Sequence, residues 1–278
     1  MRPHFLFLLP LSLSFLLVAA DETRAQSPMS SSTDFQQYAI KLREMALLKI
    51  EPQVVAPSYG WGGRYQWKRN VRTTIFWVGE RSSVRNPVPN YKSSWDAKWA
   101  RNYGGSDPPD PYARRNYIPK SFVPKQNPFY IALPYNDISR GRTKAEASKV
   151  IPWFRQAFEK QGKTVLKGRW IAIRKGNRVC YAQWEDCGPF RTDHYQYVFG
   201  REYPRPNLNQ GAGLDVSPAV RDYLGLQGKD YCDWKFVEFR EVPRGPWSQY
   251  GDNNTFVLLS RRANLYLYDR NNANGVHR

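Results

Sequence analysis

Histidine is nearly missing from this chain: 278 residues carry only His4, His194 and His277. Cysteine is as scarce, with Cys180, Cys187 and Cys232, at spacings that fit no zinc pattern. Together these shortages argue against a metal centre, and no cofactor is expected. Three cysteines allow at most one internal disulfide and leave an odd thiol. Cys187–Cys232 would tie a carboxylate-bearing loop to a late strand, and Cys180–Cys187 is the alternative. Cys187 has no evident base beside it, which argues against a thiol nucleophile. His194 sits in a polar loop and is expected at the surface.

Long apolar runs are confined to the first twenty residues. Arg2 followed by Phe5–Ala20 reads as a secretion signal over 1–25, with small residues before cleavage at Val18-Ala19-Ala20 or Thr23-Arg24-Ala25. The run contains Pro10 and is short for a spanning helix. A secreted or periplasmic location is therefore expected, with no transmembrane segment in the mature chain. Acidic residues are also few. Against 42 Lys and Arg stand 24 Asp and Glu, a formal charge of +18. Such a balance favours polyanionic partners such as a cell-wall polymer, an acidic lipid surface or nucleic acid. The cations are scattered and no nucleic-acid motif appears, which argues against nucleic acid.

Aromatic residues are plentiful, with 10 Trp and 18 Tyr. They serve either a small barrel's core or a surface that stacks on sugar rings. Segment 26–63 reads as a linker and an amphipathic helix over 34–50, opened by the capping-box pattern Thr33-Asp34-Phe35-Gln36. Segment 64–250 reads as one mainly β domain. It holds a strand over 72–79, an insertion over 81–126 and a short strand within 127–137. A helix over 143–160, broken near Pro152, comes next, then a hairpin. The insertion is too rich in proline for regular sheet, and its Trp and Tyr suggest an ordered cover. Segment 251–278 is a tail whose residues 255–268 have strand character. No internal repeat is present.

The most informative stretch is 170–226. Trp170–Lys175 and Val179–Trp184 form a hairpin about Gly176-Asn177, and the returning arm ends at Glu185-Asp186 before Gly188-Pro189. Farther on, Gly213-Leu214-Asp215-Val216 precedes a helix with Ser217 at its N-cap, Pro218 in its first turn and Gly225 at its stop. Two aspartates therefore stand at element ends. Asp186 and Asp215 are the candidate catalytic residues. Asp215 can serve as an acid or as a brace for backbone N–H groups, since a helix N-terminus favours its anion. Strict alternation puts Trp184 and Asp186 on one strand face and Glu185 on the other. Trp184, Tyr181, Tyr135, Tyr195 and Tyr197 are candidates to stack on sugars, with Asn136 and Asp137 as polar partners.

AQWEDCGPF followed by GAGLDVSPAVRDYLGL resembles the double-psi β-barrel superfamily, which includes rare lipoprotein A-like proteins, expansins, barwin-like proteins and family 45 endoglucanases. The resemblance covers roughly 70–248, with its tight motifs in 181–226. It implies a six-stranded double-psi β-barrel with short helices and a polysaccharide groove across one face. Asp186 matches the Asp of the rare lipoprotein A pattern. Asp215 matches the Asp that expansins carry in His-Phe-Asp and that the endoglucanases use as acid. Cys187 replaces an Arg. The His that competent rare lipoprotein A proteins use on the second strand has no counterpart in Phe129–Asp137, where Asn136 and Asp137 are the available polar groups. The expected function is binding of a cell-wall polysaccharide, expansin-like or non-catalytic. The alternative is cleavage of a glycan, lytic transglycosylase-like or endoglucanase-like, by Asp186 and Asp215.

Overall fold

The computed structural model describes residues 65–83 and 86–263. The expected signal, the helix over 34–50 and the end of the tail lie outside these residues.

Six strands close into a barrel: β1 (Lys68–Ile75), β2 (Tyr130–Leu133), β3 (Trp170–Lys175), β4 (Arg178–Cys187), β5 (Leu214–Val216) and β6 (Asp230–Phe236). Their order around the barrel is β1-β6-β3-β4-β2-β5. Two pairings are parallel, β1 with β5 and β2 with β4. The other four are antiparallel. Exchanging β1, β2, β3 for β4, β5, β6 reproduces the same set of pairings, so the pairing pattern is twofold-symmetric.

Alternation fills the inside. Ile171 and Ile173 face Ala182 and Cys180 across the hairpin and Phe236 and Trp234 across β6. All six are buried. Large rings fill what the small residues leave, with Phe236 stacked on Phe199 at 5.7 Å and edge-on to Trp234 at 5.1 Å. Gly176 turns the β3–β4 hairpin at φ 55°, a conformation glycine adopts without strain.

Short helices decorate the barrel, among them α1 (Trp99–Tyr103), α2 (Ala147–Val150), α3 (Phe154–Ala157), α4 (Tyr195–Val198) and α5 (Pro218–Leu224). Pro152 separates α2 from α3. The Ser217 hydroxyl accepts from the Val220 N–H to cap α5, and Gly225 ends it in the left-handed region. The tail differs from expectation. Residues 255–263 are helical rather than extended. Asn254 supplies the reason: its Oδ1 accepts from the Phe256 N–H, and this cap lets Phe256 pack on Trp170 and Phe239. No helix among the described residues is long and apolar enough to cross a membrane.

The insertion is an ordered wall. Trp99 and Tyr103 of α1 pack on the outer face of β2 at Tyr130, at ring separations of 5.3 and 5.9 Å. Buried Arg114 pairs with Asp107 and reaches Asp222 of α5 at 3.0 Å. The Tyr130 hydroxyl donates to Asp107 at 3.0 Å and accepts from the Val78 N–H at 3.0 Å. This network pins the insertion to both β2 and α5.

Candidate functional site: a carboxylate cleft on the barrel wall

The outer face of the barrel carries one rung of four side chains. Thr74 on β1 pairs with Asp215 on β5, Asp215 pairs with Ala132 on β2, and Ala132 pairs with Asp186 on β4. Asp186 joins this rung only because β4 contains a bulge. Ile131 pairs with Trp184 but the next residue, Ala132, pairs with Asp186, so Glu185 is the extra residue. The bulge reverses the expected alternation: Trp184 points into the core, and Asp186 shares the outer face with Ala132 and Asp215. Sequence pattern placed Trp184 and Asp186 together; the one-residue insertion in the ladder separates them.

A cleft of about 490 Å³ opens over this rung, lined by Glu80, by the insertion residues Asn86 and Asn90, and by Gly188, Pro189 and Phe190. Small residues keep it open between the carboxylates. A Cβ on Gly188 would meet Asp215 Oδ2 at 3.3 Å and the Ala132 Cβ at 3.8 Å.

Asp215 Oδ1 accepts a short hydrogen bond from the Thr74 hydroxyl. Its carboxyl is pushed up to about 7, first by burial and further by the nearby charges of Glu80 and Asp186, against the opposing Thr74 bond. Burial thus moves the Asp215 carboxyl upward, against the lowering that a place before a helix suggests. Its bonding partner is a hydroxyl, and desolvation outweighs the dipole of the short α5. Asp186 Oδ1 accepts from the backbone N–H groups of Ser94 and Cys187, each at 2.7 Å. The insertion therefore holds this carboxylate directly.

Glu80 is a member of the site that no sequence pattern points to. It is buried, accepts from Asn90 Nδ2 at 2.8 Å, and its carboxyl is raised by burial. It follows the first strand by five residues, in a stretch with no motif to mark it.

The other candidates lie elsewhere. Trp184, Tyr135, Tyr195 and Tyr197 are buried in the barrel core. Tyr181 packs on Trp247 at 5.1 Å. The Asn136 carboxamide accepts from the Trp95 indole at 3.0 Å, and Asp137 is buried, accepting from Thr164 and from the Val165 N–H. None of these residues lines the carboxylate cleft. Glu185 is buried beside Lys167, and desolvation raises its carboxyl to about 7. All three cysteines are free thiols: Cys180 and Cys232 face the core, while Cys187 donates to the Tyr135 carbonyl. Neither expected disulfide is formed. His194 is fully buried rather than at the surface, because its Nε2 meets Glu202 at 3.0 Å and its ring lies against Tyr197.

No protein-family model matches the chain, and no curated protein matches it.

Proposed function

We propose that this is an exported glycan-cleaving protein in which Asp215 is the general acid and Asp186 its partner carboxylate. One observation carries the reading. Two buried carboxyls flank Ala132 in an open cleft, and that of Asp215 is pushed up to about 7. Protonating a glycosidic oxygen needs such an acid. The two aspartate backbones stand two strand spacings apart, about 9–10 Å. Acid–base hydrolysis through water would use both carboxyls, one as acid and one as base. A lytic transglycosylase would need only Asp215, because the sugar's own hydroxyl attacks. The pseudo-twofold pairing with two parallel strand pairs supports the double-psi assignment. Purely non-catalytic binding loses ground in this cleft, because Trp184, Tyr135, Tyr195 and Tyr197, four of the candidates to stack on sugars, are in the core.

The test is incubation of the purified protein with peptidoglycan and with β-glucans, comparing wild type, Asp215→Asn and Asp186→Asn. Soluble fragments from wild type, and a loss of at least a hundredfold in folded Asp215→Asn, support the proposal. Retention on the polymer without fragments replaces cleavage with binding. Neither binding nor cleavage overturns both.

A further inference from the structure

A second cleft, of about 360 Å³, lies beside the start of β1 and the end of β6 and shares no lining residue with the carboxylate cleft. Lys68 is at its base. A bulge also governs this position. Lys68 pairs with Trp234 and Val71 with Cys232, so β1 spends three residues where β6 spends two. Asn70, at φ 52° and held by Asp233 Oδ1 through its N–H at 2.9 Å, absorbs the extra residue. Without it, alternation from core-facing Val71 would turn Lys68 out to solvent. With it, Lys68 shares the face of Trp234.

The ammonium stands 5.3 Å from the Tyr197 ring centroid and 5.6 Å from that of Trp234, and donates to the Gly200 carbonyl at 2.8 Å. Among the described residues it has no carboxylate partner. Glu202 lines the same cleft, but its Oε2 is engaged by His194 Nε2 at 3.0 Å and by Arg205 at 3.3 Å rather than by Lys68. Burial without a counter-ion pushes the Lys68 amine down to about 8. A cation that only plugged the barrel end would be better replaced by an apolar chain of the same length. An ammonium has three donors, and one carbonyl uses only one of them. Exposed Arg69 and Arg201 add positive charge at the rim, and Tyr203, 77% exposed, offers a ring face there.

We infer that this cleft is a binding site for an acidic sugar, whose carboxylate or phosphate pairs with Lys68 and whose ring is covered by Tyr203. The cleft volume is at the small end of ligand pockets, which suits one sugar unit. The site is independent of the acid–base reading of Asp215 and Asp186.

The test is calorimetric titration of the full chain with sodium glucuronate, glucose 6-phosphate and, as neutral control, glucose. Binding of either acid, with no binding of glucose, is expected. Glucuronate alone identifies a carboxylate site, and both identify a general oxyanion site. Lys68→Met is expected to lose at least tenfold in affinity, while Asp215→Asn keeps it. A measurement free of any variant accompanies this: the Lys68 amine, followed by NMR, should titrate upward from about 8 when the acid is bound. The inference is overturned if neither acid binds, or if binding leaves the Lys68 titration unmoved.

Discussion

Asp186 and Asp215 are cross-strand partners of the same residue, Ala132, one on each side. Neither β2 nor the loop at Gly188 places a large side chain between them. The two aspartates come from β4 and β5, 29 positions apart, and meet because β2 inserts between those strands as a narrow spacer.

Asp215 should make stability fall as pH rises. Its carboxyl has an ordinary value of 3.8 and is raised to about 7 in the fold. A group raised on folding contributes stability that is full below its unfolded value and is lost as pH climbs through its folded value. Glu185, raised from 4.5 to about 7, acts in the same direction. These two carboxyls should therefore contribute a decline in thermal melts between about pH 4 and pH 7, against which buried His194, held below its ordinary value, adds stability as pH rises. Asp215→Asn should decline less, and should melt higher than wild type at pH 8. Parallel curves would remove the raised acid from the mechanism.

Glu80→Gln removes a like charge that holds the Asp215 proton. The Asp215 carboxyl, followed by NMR, is expected to titrate at lower pH. Any cleaving activity should lose its alkaline limb at correspondingly lower pH. An unshifted titration would make Glu80 a bystander.

Gly188→Ala tests the space between the carboxylates. The added methyl lies 3.3 Å from Asp215 Oδ2, and the backbone needs no left-handed conformation at this position. Stability should change by about 1 kcal/mol, in keeping with modest overpacking. Glycan turnover should drop at least tenfold. Retained turnover at unchanged stability would show that substrate passes elsewhere.

Arg114→Met strands the fully buried Asp107 carboxylate, which then keeps only the Tyr130 hydroxyl as a strong donor. Breaking a buried pair from one side costs about 3–5 kcal/mol. Urea denaturation should read that loss, and the double change Arg114→Met with Asp107→Asn should recover part of it. The insertion would loosen first, and with it the Ser94 N–H that holds Asp186.

The sequence by itself determined the local pieces. Gly176 set the hairpin, Ser217, Pro218 and Gly225 set α5, and Asp186 and Asp215 could be named because each stands where an element ends. Local backbone chemistry decides such features, so they are readable residue by residue. The tertiary structure decided the faces and the electrostatics. One extra residue at Glu185 moved Asp186 out of register with Trp184, and one at Asn70 turned Lys68 inward. A pattern of period two loses its parity at a bulge, and the bulge exists only relative to the partner strand. Glu80 joined the site through the turn that follows β1 and through the insertion's Asn90, which bonds its carboxyl. The raised carboxyl of Asp215 came from burial under distant segments, which overrode the stabilisation of its anion that its position before a helix suggested.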